Sequence, residues 1–520
     1  MPHRAGLPND IESLQRLVIE GRTALEVARA QLLSRQLEIE HLKLQIARLR
    51  RMQFGRSSEQ LDAAIDQLEF KLEELETEEA RIPSTAPRAT HRRAPVRRSL
   101  PEHFPREPHV YQPPSTCACP ECGGKLRPLG EDVAEQLEYV PEHWKVLRHV
   151  RPKYSCADCQ QIVQAAAPSR PIERGLAGPG LLAHVLVAKY ADHLPLYRQS
   201  QIYARTGVEL DRSTLAEWVG AVSTLIDPLL GALGRYVLNA EKLHADDTPV
   251  PVLAPGTGKT KIGRLWTYVR DDRPAGSTAA PAVLFRYSPD RKGEHPREHL
   301  RDFRGILQAD GYAGFNGLYE RAQQPLTEAA CMAHLRRKFF DIQQASDSPI
   351  ALEALHRIRA LYAIEEQIRG RPPDERRAMR EARSAPLLAE LHRWLLETVR
   401  QLSTKSELAG AIHYGLVRWQ ALCRFCHDGR IEIDNNAAER ALRAVALGRK
   451  NYLFAGADCG GERAAAIYSL IGTCKLNSLD PEAYLRFVLE RIADHPINRV
   501  NEFLPWNVAQ SISRTEKLAA

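Results

Sequence analysis

Three acidic residues sit where carboxylates could hold metal ions. They are Asp246 in His244-Ala245-Asp246-Asp247-Thr248-Pro249-Val250, Asp310 in Gln308-Ala309-Asp310-Gly311-Tyr312, and Glu439 in Asp434-Asn435-Asn436-Ala437-Ala438-Glu439-Arg440. Phosphoryl transfer by two Mg²⁺ ions about 4 Å apart needs oxygen ligands from several directions, because hard cations prefer carboxylates and keep some of their waters. Taken singly, each residue has a plainer explanation. Asp246 could be a strand-end aspartate and Asp310 a turn residue before Gly311, while Asn436 with Glu439 fits a capping box that needs no metal. Together they make a site only if the fold brings them to one place.

The segments around them read as strands in a recognisable order. Lys242 to Val252 and Gly263 to Arg270 form one expected hairpin, and Ala282 to Tyr287 a third strand. A polar helix near Glu294 to Phe303 follows, then a strand from Gly305 into Asp310 and a further one at Thr327 to Cys331. Three strands in hairpin succession, then helix, strand, helix, strand, is the order of an RNase H-like mixed sheet flanked by helices, in which the first and fourth strands are neighbours. Asp246 and Asp310 are then expected side by side. Successive strand residues point to opposite faces, so Asp246 and Asp247 cannot both face a metal; Asp246 is the expected ligand and Asp247 the reserve. Glu439 falls in the first turn of a helix whose face carries Asn435, Glu439 and Arg443 at intervals of four.

Basic residues flank these words. Arg336, Arg337 and Lys338 follow His334, and Arg440, Arg443, Arg449 and Lys450 follow Glu439. A solvated helix face explains them equally well; beside a metal site they would hold DNA phosphates. Asn435 and His334 are reserves that could orient a ligand. Gly256-Thr257-Gly258-Lys259-Thr260 resembles the end of a phosphate-binding loop, but that motif needs glycine at position 253, where Leu253 stands. ATP binding is rejected on that ground.

A second chemistry is written in cysteines. Cys119-Pro120-Glu121-Cys122-Gly123-Gly124 and Cys156-Ala157-Asp158-Cys159 offer four thiolates for a tetrahedral structural Zn²⁺, and the strand-like sequence between them can close a hairpin that brings the pairs together. Cys117 is a spare, and Cys423 with Cys426 is a half-site without a second half, read as structural. Ten cysteines in a chain with no export signal point to a reducing compartment and metal binding over disulfides.

The remaining elements serve to position these centres. Residues 1–80 are helix-rich, with Val18, Leu25, Leu32, Ile39 and Ile46 recurring every seven positions and Leu61, Leu68 and Leu75 resuming the period after a break, the pattern of a coiled coil or a helical hairpin. Residues 81–114 are a Pro/Arg-rich linker that cannot pack a core. Residues 115–166 form the zinc-binding segment. In the helical segment 167–237, Leu196 to Gly207 and Asp211 to Val219 make a candidate helix-turn-helix, with Ser213 or Asp211 as the cap of its second helix. The catalytic domain is expected at 238–479, where the 129 positions from Asp310 to Glu439 leave room for an inserted small domain. A helical tail covers 480–520. Composition agrees with a soluble chain: 520 residues, 43% apolar, net charge +7, and no apolar run of about 18 residues to cross a bilayer. The expected place is the cytoplasm.

These words, in this order, resemble the insertion-sequence-66 family of transposases. The resemblance is carried by the three acidic words and by Gly448-Arg449-Lys450-Asn451-Tyr452-Leu453-Phe454-Ala455-Gly456. It is also carried by the paired Cys-x-x-Cys segment, Leu194-Pro195-Leu196-Tyr197-Arg198, Ala333-His334-Leu335-Arg336-Arg337-Lys338-Phe339 and Asp480-Pro481-Glu482-Ala483-Tyr484-Leu485. It implies a bacterial, DNA-associated DDE recombinase whose RNase H-like core is interrupted by a helical insertion at about 342–428, with Asp246, Asp310 and Glu439 as its acids and Mg²⁺ or Mn²⁺, two per site, as cofactor. The implied reaction frees a 3′-hydroxyl at an element end and directs it at target DNA. The implied partners are double-stranded DNA, further copies of the chain and accessory proteins of the same element. Relatives often carry Asp-Glu-Thr where this chain has Asp246-Asp247-Thr248, so the second acid varies. Two other readings stand beside this one: an RNase H-like nuclease that cuts without joining, and a zinc-containing DNA-binding regulator.

Overall fold

The computed structural model describes residues 100–112, 119, 121–140, 143–254, 259–320, 325–448 and 455–519, with isolated positions before residue 100. The coiled-coil expectation lies almost wholly outside the described residues, as do linker residues 81–99 and 113–114, Cys117, Arg449 and Lys450. The rest of the expected linker, 100–112, corrects that expectation: Phe104 is buried in the main core and Arg106–Val110 form a strand. Among the described residues no single helix is long and apolar enough to cross a membrane.

Two sheets organise the chain. The first is built on a long antiparallel hairpin, β2 (Leu126–Val140) with β3 (His143–Cys156), flanked by β1 (Arg106–Val110) parallel to β3 and by short β4 (Ile162–Gln164). Only one half of the hairpin packs on the body. Leu137, Trp144 and Val146 join the main core, and Glu138 accepts the backbone amides of Gly180 and Leu181 at the start of helix α1 (Pro179–Tyr190). A carboxylate at a helix start meets free N–H groups and the positive end of the dipole. The approach is close enough that a Cβ on Gly178 or Gly180 would collide with it at 2.4 or 2.6 Å.

Helices α2 (Leu196–Arg205), α3 (Arg212–Leu225) and α4 (Asp227–Leu238) complete the helical layer. Asp211 does precede α3, but its side chain makes no capping bond. Helix α3 buries Leu215, Ala216, Trp218, Val219 and Val222. What it leaves toward solvent is its half-buried first turn, Arg212 to Thr214, and the exposed Glu217 and Thr224.

The second sheet has five strands: β5 (Lys242–Ala254), β6 (Lys259–Arg270), β7 (Ala282–Ser288), β8 (Ile306–Ala309) and β9 (Thr327–Ala330). Their order is β7-β6-β5-β8-β9, antiparallel through β5 and parallel beyond it. The first strand of this sheet thus lies beside the fourth. Between the strands run α5 (Glu294–His299) and α6 (Asn316–Tyr319), and α7 (Met332–Ser346) follows β9.

A run of helices then leaves the sheet: α8 (Pro349–Ile368), α9 (Pro373–Met379) leading through a π-helical turn into α10 (Ala385–Val399), α11 (Glu407–Val417) and α12 (Trp419–Cys423). They have their own apolar cluster, which Leu335 and Phe339 of α7 share with Ile358, Leu391, Ile412 and Phe425. The chain returns at 430–435, pinned to the sheet by backbone and side-chain bonds. Lys242 Nζ donates to the Arg430 carbonyl at 2.8 Å, Gln308 Nε2 to the Glu432 carbonyl at 2.6 Å, and the Met332 amide to the Ile433 carbonyl at 3.0 Å.

Helix α13 (Asn436–Gly448) starts there and turns Ala438, Leu442 and Val445 inward, leaving Arg440 and Arg443 exposed. Helix α14 (Asp458–Leu476) covers the open edge of β7: Ser469 Oγ accepts the Phe285 amide at 2.8 Å and Thr473 Oγ1 the Val283 amide at 3.1 Å. An edge strand with unpaired N–H groups is thereby closed. Helices α15 (Pro481–Leu489) and α16 (Pro505–Ala519) end the chain.

Candidate active site and zinc centre

Strand register puts two of the three acids together. The last paired steps of β5 and β8 run Leu243↔Leu307 and His244↔Gln308, so Asp246 and Asp310 are the residues two places further along neighbouring parallel strands. Such strands lie about 4.8 Å apart. The electrostatics agree: Asp246 is driven from 3.8 up to about 7, first by burial, against a lowering bond from the Asp247 amide, and then by the negative charges of Asp310, Asp247 and Glu439. Glu439 approaches from the first turn of α13.

The capping explanation for Glu439 does not hold locally. The Asn436 backbone and side-chain amides both go to Asp434, at 3.2 and 2.7 Å, and Glu439 Oε1 is buried with no hydrogen-bond partner. Its carboxylate instead lies between His334 Nδ1 and Arg337 Nη2, each at 3.7 Å. Turned this way, its oxygens do not close with those of Asp246 and Asp310 into a cluster of ligand atoms within 4.8 Å of one another.

Asp247 points the other way. Its carboxylate is 1% exposed, paired with Arg264 Nη1 at 3.0 Å and held by Arg291 through Nη2 at 2.9 Å and Nε at 3.1 and 3.2 Å. Arg291 also stacks on Tyr312 at 4.0 Å.

Asn435 is fully buried, which keeps it from any phosphate. Its Nδ2 donates to the Ala245 carbonyl at 2.8 Å and its Oδ1 meets His244 Nδ1 at 3.0 Å. These bonds fasten the start of α13 to the strand that bears Asp246. His244 is held neutral, its pKa pulled to about 3 by burial and by the nearby Lys242 charge.

On the insertion side, Tyr414 Oη donates to the Asp310 carbonyl at 2.7 Å and Arg418 Nη2 to the Gly311 carbonyl at 2.7 Å. Gly311 has φ +83°, and a Cβ there would strike the Arg418 side chain at 2.3 Å, so this turn requires glycine. Sequence reasoning missed Arg264, Arg291, Tyr414, Arg418 and Cys331. The first four are common surface types whose roles come from partners up to 107 positions away. Cys331 stood at the end of a predicted strand, three residues before His334, and that interval was its available signal.

Arg336, Arg337 and Lys338 are exposed on α7 next to the acids, and Arg440 and Arg443 are exposed on α13. They form a basic rim rather than part of the buried site.

The donor set fits divalent cations. Asp246 and Asp310 stand side by side with Glu439 nearby but turned aside; Asp246 is desolvated, Glu439 has a buried oxygen lacking any partner, and a cation would answer both deficits.

The four cysteines of the two pairs converge as well. Cys119 and Cys122 lie just before β2, Cys156 ends β3, and Leu126 pairs with Cys156 across the hairpin. Sulfur separations are 3.5 Å for Cys119 to Cys159, 3.4 Å for Cys122 to Cys156 and 3.3 Å for Cys122 to Cys159. Tetrahedral Zn–S bonds of about 2.3 Å imply sulfur edges of roughly 3.8 Å, so little movement is needed to bind. The Cys156 thiol is lowered to about 7, first by the backbone amides of Cys159 and Asp158. Gly124 makes room for the knuckle: a Cβ there would meet the Asp158 carboxylate at 2.1 Å and Cys156 Sγ at 2.9 Å. This arrangement supports structural zinc. Cys423 and Cys426 lie in the insertion and do not belong to any ligand cluster among the described residues.

Comparison with known proteins defines the class. Residues 174–463 match the family model described as "Transposase IS66 family", 116–160 the "zinc-finger binding domain of transposase IS66", 41–108 "Transposase C of IS166 homeodomain" and 469–506 the "IS66 C-terminal element". The chain belongs to the IS66 transposase family. Three similar proteins come from Sinorhizobium fredii, each called uncharacterized. Protein y4hP is 45% identical over 503 residues, covering 92% of this chain and 90% of its own. Proteins y4jD and y4qI are each 38% identical, over 518 and 531 residues, covering 96% and 97% of this chain and 97% and 98% of their own.

Proposed function

We propose that this transposase is a DDE enzyme with an RNase H-like catalytic core, and that it cuts and joins phosphodiester bonds at Asp246, Asp310 and Glu439. The observation that carries this reading is the strand order β7-β6-β5-β8-β9, which sets Asp246 beside Asp310 with Glu439 close enough to raise the Asp246 pKa. Asp246 is preferred over Asp247 because both Asp247 oxygens are engaged by arginines. Two Mg²⁺ ions held by the three acids would supply an activated oxygen nucleophile and neutralise charge on the leaving oxygen.

The chain's own residues do the positioning. Asp246 and Asp310 present their carboxylates from a rigid sheet, Tyr414 and Arg418 fix the Asp310 turn, and Asn435 ties the helix of Glu439 to β5. Arg336, Arg337, Lys338, Arg440 and Arg443 line the approach with positive charge for the DNA backbone, as do Arg449 and Lys450 by sequence. The zinc hairpin and the helices before β5 are assigned to recognition of element ends. Holding two ends implies more than one copy of the chain on DNA.

The test is a divalent-metal-dependent assay on DNA carrying the element's ends. The parent is expected to nick and join with Mg²⁺ or Mn²⁺, while Asp246→Asn, Asp310→Asn and Glu439→Gln still bind but lose chemistry. A variant that keeps full activity removes that residue from the site. Cleavage without transfer to a second duplex selects a nuclease instead, and binding without cleavage selects a regulator.

A further inference from the structure

We infer that Cys331, His334 and Glu439 form a second metal site, distinct from the Cys₄ centre, that takes a thiophilic divalent cation such as Zn²⁺. Cys331 immediately precedes α7 and His334 lies three residues on, so both face the same side of the helix start. Glu439 meets them from the first turn of α13. One ligand atom from each, Sγ, a ring nitrogen and a carboxylate oxygen, lies within 4.8 Å of both others.

Two of these atoms lack what buried polar atoms normally have. His334 Nδ1 and Glu439 Oε1 are both buried with no hydrogen-bond partner, and their separation of 3.7 Å is too long for a hydrogen bond between them. It is close to the edge of a tetrahedron with metal–ligand bonds of about 2.1 Å, roughly 3.4 Å. No direct bond between the two atoms closes at that distance, whereas a cation between them satisfies both. Burial pushes the Cys331 thiol up to about 12, against the lowering pull of the Asn435 amide, which donates to its Sγ at 3.1 Å, so the cation itself has to displace the thiol proton on binding. Arg337, on the other Glu439 oxygen at 3.7 Å, is the charge that opposes a cation here.

Donor chemistry sets the selectivity. Sulfur and imidazole favour Zn²⁺, and an all-carboxylate set favours Mg²⁺. Glu439 belongs to both sets. Resting on the reading of Glu439 as an Mg²⁺ ligand, Zn²⁺ at this site withdraws that ligand and acts as a brake on DNA cleavage.

The experiment uses the full chain with its Cys₄ centre already zinc-loaded, titrated with Co²⁺. The expected result is a thiolate-to-cobalt charge-transfer band that is lost in Cys331→Ser and in His334→Gln. The histidine variant, altered at a partly exposed side chain, keeps the test readable where the buried cysteine change disturbs folding. No band in the parent, or one that persists in His334→Gln, overturns the site. Micromolar Zn²⁺ is then expected to suppress Mg²⁺-dependent cleavage. A cobalt band without suppression upholds the site and counts against Glu439 as an Mg²⁺ ligand.

Discussion

Burial and the neighbouring carboxylates of Asp310, Asp247 and Glu439 hold the Asp246 pKa near 7, so the residue proposed as a metal ligand is half-protonated at neutral pH. Its carboxyl binds a proton more tightly in the folded chain than in the unfolded one. Metal-free stability therefore falls as pH rises from about 4 through about 7, and the whole penalty is present above that. Asp246→Asn removes the ionisation. Without divalent ions it is expected to be more stable than the parent at pH 8, by an order of a few kcal/mol, and no more stable near pH 4. Thermal melts at the two pH values decide it; equal melting at pH 8 would show that Asp246 is not desolvated as described. Asp247 makes the opposite case. Its ion pairs with Arg264 and Arg291 are almost fully buried on the carboxylate side, and Asp247→Asn leaves two guanidinium groups facing a neutral amide. A loss of about 3 kcal/mol is expected in urea unfolding. Mg²⁺ affinity should fall far less than in Asp246→Asn, and a larger fall in Asp247→Asn would exchange the two roles.

The elements that place the third acid are held by charges buried within the insertion. Arg380 is fully buried and grips Glu365 through Nε at 2.7 Å and Nη2 at 2.6 Å, while its Nη1 donates to the Phe425 and Ile431 carbonyls at 2.9 Å. Arg376 Nη2 reaches Glu432 at 2.7 Å. These bonds stiffen the chain as it returns to the sheet just before Glu439. Arg380→Met leaves the Glu365 charge only Arg376, at 3.6 Å, and should cost about 3 kcal/mol, whereas Arg380→Met with Glu365→Leu should recover most of it, because replacing both partners by apolar groups is often near neutral. Urea denaturation of the four-member cycle measures this, and additive losses would mean that the pair does not act as a unit. The strands and their order were legible because apolar runs such as Ala282 to Tyr287 alternate with turn and helix signals, and from them followed the adjacency of Asp246 and Asp310. The capping-box alternative for Glu439 gives way because Asp434, two residues before Asn436, takes both Asn436 amides. Arg380 and Glu365 were not legible at all: fifteen positions apart on different helices, they look in sequence like ordinary solvated charges.

Across the whole molecule, zinc and hydrophobic packing divide the work of holding the β2–β3 hairpin. Toward its turn, Leu137, Trp144 and Val146 enter the main core, and Trp144 Nε1 donates to Thr206 Oγ1 at 3.0 Å. Toward the cysteines, β2 from Arg127 to Glu131 is exposed, and Pro128 and Gly130 bracket a break in register. That half has little apolar burial to offset the entropy of ordering it, so four sulfur–metal bonds must supply what packing does not. Removing zinc with a chelator, or replacing Cys156 by serine, is expected to free the amides of residues 126–133 and 150–159 to exchange. Residues 136–138 and 144–147 should stay protected, and the five-stranded sheet with Asp246 and Asp310 should keep its melting temperature within a few degrees, because none of its strands contacts the cysteine end in the ladder pairing. Hydrogen exchange followed by mass spectrometry reads each segment separately. Loss of protection throughout β5 to β9 on chelation would show that zinc supports the five-stranded sheet itself, and the hairpin could then no longer be treated as a locally fastened arm.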